Sequence, residues 1–586
     1  MSGEVRSLSA QVHDAFAAAL RQVDLAGADP LVRPSDHADF QSNAAMALAK
    51  RAGTKPRDLA ERLAAAVREQ PGAPAGVELS GPGFLNVSID DRTVWRQVEQ
   101  RLAAPRLGIA ESRSGERTVI DYSGPNIAKE MHVGHLRTTI LGDALARVLD
   151  GLGSEVIRQN HLGDWGTQFG MLIQYLDEHP EAVWRPEDLA EGAVATTSAL
   201  DELYRQARAR FEADPGFGDR ARDRVVALQS GDETTLARWR ELVAQSQRAF
   251  QAIYDRLGVL LTPEDSRGES FYNDQLAEVV DELVKAGVAV ESDGALCVFS
   301  DEFTGPGGDP VPLIVRKRDG GYNYATTDLA TIRYRIRDLK ASRILYVVDA
   351  RQAMHFQMIF ATARRMGWLT EGIEAVHVPF GAVLGPDGKP FKTRSGGAAR
   401  LMELLDSAVD RARREIEGRA HDLDAAELER IVADAGIGAV KYADLSTSRT
   451  KDYVFDVDRM VSFNGNTGVY LQYAHTRIRS ILRKAGDADT EVTADAPLQP
   501  AERALVLLLD GMGGTLDEVA SSLEPHRLCG YLFALAKAFT DFYESCPVLK
   551  AGDERVRGNR LALCRLVGDS LARGLGLLGI AAPERM

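Results

Sequence analysis

A short apolar segment, Val119-Ile120-Asp121-Tyr122-Ser123, runs through a Gly-Pro-Asn loop into MHVGHLRTTILGDALARVLDGLG and then into a second apolar segment, EVIRQNHLGDWG. Strand, helix and strand in that order read as neighbours of a parallel sheet, since parallel strands need a crossover connection and a helix is the usual one. Leu136, Ile140, Ala144, Leu145 and Val148 mark the buried stripe of the helix. The expected class is α/β with a doubly wound parallel sheet, its site at the carboxyl ends of the strands.

The remaining chain falls around this unit. Residues before about 110 read as a small α+β unit, with apolar-periodic helices near Val12–Leu20 and Leu59–Val67 and a Gly-rich strand segment, SGPGFLNVSID. Residues 171–310 are long, charged and mostly helical in pattern, an insertion before the sheet resumes in LIVRKRDGGYNYATTDLATIRYRI, RILYVVDARQ and AVHVPFGAVLG. From Leu401 onward the pattern is almost wholly helical. A length of 586 residues with 45% hydrophobic and 26% charged suits several globular domains, roughly three to five. No window approaches the roughly 18 apolar residues of a membrane span, and MSGEVRSLSAQVHDAF lacks a signal pattern, so a cytoplasmic protein is expected. Cys297, Cys529, Cys546 and Cys564 lie far apart, giving neither a CxxC pair for zinc nor a disulfide framework.

The strongest chemical signal is His132-Val133-Gly134-His135 at the first turn of the helix. Free N–H groups and the helix dipole favour anions there, and two histidines three apart share one face, so both can donate to one phosphate while Gly134 lets a flat nucleobase or ribose approach. A zinc-ligating pair is the competing reading, weakened by the lack of further ligands at metal spacing. The second signal is LGPDGKPFKTRSGG, residues 384–397, where Lys389, Lys392 and Arg394 alternate with Gly and Pro after an apolar strand. Such a basic loop suits a triphosphate, although a solvated turn has the same composition; it is not a P-loop, since GxxxxGK[ST] is absent.

An HxGH helix followed some 250 residues later by a basic loop and then by a helical C-terminal region resembles the class I aminoacyl-tRNA synthetases. DYSGPNIAKEMHVGHLRTT, NHLGDWGTQFGMLI, YATTDLATIRYR, VVDARQAMHF, GKPFKTRSGG, GIGAVKYADLSTSRTKDYVFD, GNTGVYLQYAHTRIRSI and the terminal APERM narrow the resemblance to the arginyl-tRNA synthetase family over nearly the whole chain. That resemblance implies an N-terminal tRNA-binding domain at 1–112 and a Rossmann-like catalytic domain at 113–400 holding the 171–310 insertion. A helical connector at 401–455 and an all-α anticodon-binding domain at 456–586 follow. It implies ligation of arginine to tRNA(Arg) through an adenylate, with ATP and Mg2+, no structural zinc, a monomer, and tRNA bound before activation.

By motif position the resemblance assigns His132, Gly134, His135, Lys129, Lys392 and Arg394 to ATP, with Lys129, His132, His135, Lys389 and Lys392 catalytic. Asp121, Ser123, Asn126, Tyr324, Asp328 and Gln352 fall to arginine, whose planar, permanent cation needs fixed carboxylates and amide or phenol acceptors. Thr393 stands where the class I loop carries a lysine, and Lys129, three residues before His132, is the family's substitute cation. Gly124 replaces a frequent serine. Phe40, Gln41 and Asn43 match the segment that reads the tRNA elbow, where an aromatic stacks on an unpaired base. Tyr470, Tyr473 and Met586 match anticodon-loop positions, although the i, i+3 tyrosines equally fit core packing.

A net charge of −15 by itself opposes a polyanionic partner, but residues 1–115 carry about 14 basic and 14 acidic groups and residues 455–586 about 15 and 17. The deficit sits in the middle, so both ends can meet RNA. Rival readings are a class I relative with another amino acid, an idle RNA-binding relative, and a small-cofactor nucleotidylyltransferase, which shares the HxGH logic without needing either terminal region.

Overall fold

The computed structural model describes residues 3–70, 73–182, 184, 193–305, 307–389, 391, 400–418, 423–486 and 491–586. Its centre is a four-stranded parallel sheet in the order Glu374–His377, Arg343–Tyr346, Arg117–Asp121, Glu155–Gln159. The two middle strands are buried almost throughout, as parallel strands covered on both faces must be. Asp121 and Tyr346 are paired across them, so the loops leaving these two strands open side by side. The first leads into the helix Val133–Gly151, the second through Ala350–Gln352 into the helix Ala353–Arg365.

The N-terminal unit is a four-stranded antiparallel sheet, Val32–Pro34, Phe40–Ser42, Phe84–Ser88, Gly76–Ser80, covered by helices that include Leu8–Gln22 and Pro56–Arg68. Both expected helices form. Their apolar faces bury Leu8, Val12 and Phe16 on one and Leu59, Leu63 and Val67 on the other. This unit rests on the C-terminal helices through a buried polar seam. Arg101 pairs with Asp510 at 2.6 Å, both side chains under a tenth exposed, while the Leu8 N–H and the Gln97 amide also donate to the Asp510 carboxylate. Trp95 donates its indole N–H to the Ala496 carbonyl.

The insertion, expected to be mostly helical, also carries strands. Helices Ala193–Ala213, Pro215–Gln229, Glu233–Leu257 and Asn273–Lys285 are followed by a three-stranded antiparallel sheet, Ala289–Ser292, Ala295–Val298, Leu313–Arg316. The apolar run LIVR therefore belongs to this sheet and not to the parallel one. Short apolar runs do not declare which sheet they join, because register depends on partners far away in sequence. AVHVPFGAVLG likewise splits: Glu374–His377 edges the parallel sheet, whereas Val383–Leu384 pairs with Tyr453–Val454.

Beyond Leu401 the described chain is helical apart from that short strand. Leu401–Glu417 packs on Ala425–Leu445, and Gly468–Ala485 leads the terminal bundle. The last residues fold back on this helix: Gln472 donates to the Ala581 carbonyl, His475 to the Pro583 carbonyl at 2.9 Å, and Arg479 pairs with Glu584. Among the described residues no helix is long and apolar enough to cross a membrane.

Candidate active site

His132 is the N-cap of the helix Val133–Gly151 and His135 its third residue. The Gly134 N–H donates to His132 Nδ1 at 3.0 Å, and the His132 N–H donates to His135 Nδ1 at 3.1 Å. Both Nδ1 atoms are thus acceptors, which puts the single proton of each neutral ring on Nε2. Burial lowers the pKa of His132, with Lys129 adding repulsion, and burial beside His132 takes His135 down to about 3. The rings, 4.1 Å apart between centroids, therefore remain neutral Nε2–H donors at physiological pH. Gly134 has a second duty, since a Cβ there would stand 2.7 Å from the His132 ring and displace the cap.

The loop before the helix is held under strain. Ser123 and Ala128 adopt positive φ, 76° and 58°, which L-residues reach only when their surroundings hold them there. Ser123 Oγ lies 2.8 Å from the Tyr254 hydroxyl and accepts from Thr139, and the Ala128 N–H donates to Ser246 Oγ at 3.0 Å. Tyr254 and Ser246 belong to the insertion helix Glu233–Leu257, started by Asp232 as N-cap and ended by left-handed Gly258. The insertion thereby shapes the loop. It also meets Lys129, whose Nζ lies 4.7 Å from the centre of the Tyr204 ring.

The basic loop is anchored at both described ends. Val383 accepts from the Phe391 N–H, and the Gly385 N–H donates to the Lys389 carbonyl, closing a turn at Lys389. Arg400 bridges His132, pairs with Glu130 at 2.8 Å, and is followed by the Leu401 N–H on the Met131 carbonyl. The chain leaving the loop therefore returns to the histidines. Lys392, Thr393 and Arg394 lie outside the described residues.

On the neighbouring strand end, Asp328 accepts from His355 Nε2 at 2.6 Å, and the Tyr324 ring lies 4.9 Å from that of His355. Tyr324 opens the helix Tyr324–Arg337 and is 62% exposed, on the solvent side of the Asp328–His355 pair. Gln352 is exposed beside it, at the start of Ala353–Arg365, with no capping bond from its side chain. Asn126 is exposed, its Oδ1 close over Gly163, and Ile127 donates to the Gly163 carbonyl, knitting this loop to NHLGDWG.

Three residues that the motif assignments did not single out, Asp164, Glu269 and His355, lie around Asp328. Glu269 has its pKa raised to about 7 by burial and then by the nearby Asp164 and Asp328 carboxylates. Asp164, buried and itself raised, accepts from the Ser270 N–H and hydroxyl. His355 stood in the quoted VVDARQAMHF, where the need of Asp328 for a donor was its available signal; Glu269 lay in the insertion with none. Carboxylates crowded until one is half protonated form a place that demands a cation.

Three residues assigned from the sequence are buried, and for one of them, Phe40, this corrects the assignment. Asp121 is buried and its Oδ2 accepts from the fully buried Arg335 at 2.8 Å, so its charge is balanced from inside the protein. Ser123 is 5% exposed, with its hydroxyl tied as above. Phe40 is 4% exposed in the N-terminal core and is not available to stack on a base. Its neighbours do reach the surface: Gln41 donates to Asn86 Oδ1 at 2.8 Å and Asn43, once its amide is turned, to Gln41. Tyr470 packs partly buried against Phe533, Tyr473 is 40% exposed beside Phe463, and Met586 packs against the bundle.

Three family models match: "tRNA synthetases class I (R), catalytic domain" over residues 97–457, "DALR anticodon binding domain" over 471–586, and "Arginyl tRNA synthetase N terminal domain" over 10–89. An arginine–tRNA ligase of Frankia casuarinae is 68% identical across 99% of both chains, and one of Streptomyces avermitilis 51% identical across 99% of this chain and all of the other. This chain belongs to the arginyl-tRNA synthetase family. Arginyl-tRNA synthetase structures from Plasmodium falciparum and Thermus thermophilus superpose with TM-scores of 0.82 at 28% and 26% identity, covering 100% and 99% of this chain and all of theirs. The parallel sheet, N-terminal unit and helical C-terminal bundle are thus the family's architecture, and class I chemistry runs on ATP, generally with Mg2+. Among the described residues no three His, Cys, Asp or Glu side chains converge to hold a metal.

Proposed function

We propose that this arginine–tRNA ligase activates L-arginine between the histidine helix and the Asp328 pocket and passes it to the terminal adenosine of tRNA(Arg). The observation that carries this is the pairing of Asp121 with Tyr346. It sets the anion-binding start of the histidine helix beside the loop that leads to His355, the partner of Asp328. The guanidinium lies against Asp328 and Glu269 with Tyr324 and Gln352 at its edge, and Asn126 faces the amino-acid end. The α-carboxylate then attacks the ATP α-phosphorus, the bond to the bridging oxygen breaks, and pyrophosphate leaves. A ribose hydroxyl of the tRNA next attacks the carbonyl of the adenylate and AMP departs.

The chain's own contribution is position and charge. His132 and His135 donate Nε2–H bonds to phosphate oxygens, where preorganised neutral donors gain most as negative charge grows. Lys129 and Lys389 hold the triphosphate, joined by Lys392 and Arg394 on sequence grounds, and Gly134 keeps the path to the nucleotide open. Mg2+ carried on the phosphates would neutralise the leaving charge. Lysine is rejected without editing, because an ammonium leaves the paired carboxylates poorly matched. We divide the chain at 1–112, 113–400, 401–455 and 456–586, with Gln41, Asn43, Tyr470, Tyr473 and Met586 toward tRNA, and take it as a cytoplasmic monomer.

The test is ATP–pyrophosphate exchange with each amino acid, with and without tRNA. Exchange with arginine that appears only when tRNA is present supports the proposal. Exchange with another amino acid overturns the pocket assignment, and arginine exchange without tRNA overturns the coupling.

A further inference from the structure

Arginines around the catalytic sheet are mostly paired. Arg333 meets Glu278 and Glu282, Arg337 meets Glu282, Arg343 meets Glu374 and Arg351 meets Asp349. Three consecutive cations break this habit. Arg316, Lys317 and Arg318 are all exposed, and among the described residues none has a carboxylate at ion-pair distance. They sit on a tight hairpin: the Lys317 N–H donates to the Gly321 carbonyl at 2.8 Å, the Gly320 N–H to the Lys317 carbonyl at 3.0 Å, and Arg316 bridges Tyr322. Gly320 supplies the positive φ, 83°, that the turn requires. Asp319, the acid of the turn, spends Oδ1 on the Gly321 N–H.

The hairpin also carries an aromatic. Tyr322 is 37% exposed, and two residues later Tyr324 opens its helix on the solvent side of the Asp328–His355 pair. Adjacent unpaired cations repel one another, and they stand unpaired in a chain whose net charge is −15. Cations kept free beside an exposed ring match one kind of partner, a flexible polyanion with unstacked bases. A duplex would meet the cations and leave the ring idle.

We propose that the hairpin 316–322 grips the single-stranded 3′ end of tRNA at the mouth of the pocket, its cations on the phosphates and Tyr322 against an unpaired base. The proposal rests on reading the Asp328 pocket as the arginine site. It assigns the entry of the RNA to one short turn that the catalytic assignments do not use.

The experiment compares the wild-type chain with a Lys317→Ala/Arg318→Ala double variant, both changes at exposed positions, for binding to full-length tRNA(Arg) and to the same RNA lacking its last four nucleotides. On full-length RNA the double variant is expected to lose affinity on the order of tenfold at low salt, with the slope of log K against log salt shallower by about 1.4, about 0.7 for each single-strand phosphate contact. On the shortened RNA the two proteins should bind alike. Tyr322→Ala should weaken only full-length binding without changing the slope, and Tyr322→Phe should restore it. Equal binding of full-length RNA by wild type and double variant overturns the proposal, as does a loss that persists on the shortened RNA. Binding does not depend on turnover, so a wild type that fails to charge arginine would overturn the pocket assignment separately.

Discussion

At the scale of single residues, the two histidines cap their helix, and this role can be separated from the hydrogen bonds to phosphate proposed for them. His132→Asn keeps a capping acceptor and removes the ring, so thermal stability should change little while pyrophosphate exchange falls by about 100- to 1,000-fold, the usual effect of losing one preorganised donor. A matching loss of melting temperature would mean that the cap alone had been read. Glu269 gives a pH prediction. Its pKa is raised to about 7 in the free protein, and a guanidinium binds the ionised form, so arginine affinity should rise from pH 6 to 8 with proton release on binding. Calorimetry in buffers of different ionisation enthalpy reads the proton directly. The trend should vanish in Glu269→Gln, and a flat profile in the wild type would sink the assignment. The sign for stability is the opposite: a carboxyl raised on folding contributes stability below its unfolded pKa that is lost as pH rises through about 7, until the substrate's cation offsets it. His132 and Asp328 were legible in the sequence because their chemistry sits in compact motifs. Glu269 was not, because its significance comes from two carboxylates brought near it by the fold. Phe40 misled for the reverse reason, since an aromatic inside an RNA-like motif reads the same whether it points outward or into a core.

Elements explain why loops stay where the chemistry needs them. Strand-helix-strand order around the histidines was readable because a 3.6 period over some twenty residues is a long signal, whereas four-residue strands such as Leu313–Arg316 carry too little pattern to name their sheet. The insertion shows what such patterns miss altogether. Its charged helices look like solvated surface, yet Ser246 and Tyr254 brace the strained loop and Tyr204 lies under Lys129. If that ring positions the ammonium, Tyr204→Leu should raise the KM for ATP several-fold, in line with about 0.5–2 kcal/mol for a cation–π contact, and Tyr204→Phe should not. In a Lys129→Met background the Tyr204→Leu effect should disappear. Additive losses would show that the ring serves packing alone. The histidine helix is tied to the C-terminal region by Arg137, buried against Asp444 at 3.2 Å and donating to the Lys451 carbonyl, two residues before the strand that pairs with Val383–Leu384.

Across the whole molecule, the two terminal units are joined by a seam in which Asp510 serves the Leu8 N–H, Gln97 and Arg101 at once. Removing one partner of a buried pair leaves the other charge stranded, so Asp510→Ala should cost about 3–5 kcal/mol at this junction. The expected sign is an early thermal transition and faster proteolysis of the N-terminal unit, with the catalytic unit unfolding as before; a single unshifted transition would contradict it. The division into α+β, α/β and helical regions could be read from pattern and composition, but nothing in a linear chain announces that its first and last regions touch. That contact has a consequence for biosynthesis. Arg101 and Asp510 are 409 residues apart, so at about 5–20 residues per second the N-terminal unit waits roughly 20 to 80 s on the ribosome before its acceptor has been made. Through that interval a guanidinium destined for burial stays in water, and the newborn unit must remain folded and unaggregated by its own small core until the end of the chain arrives to receive it.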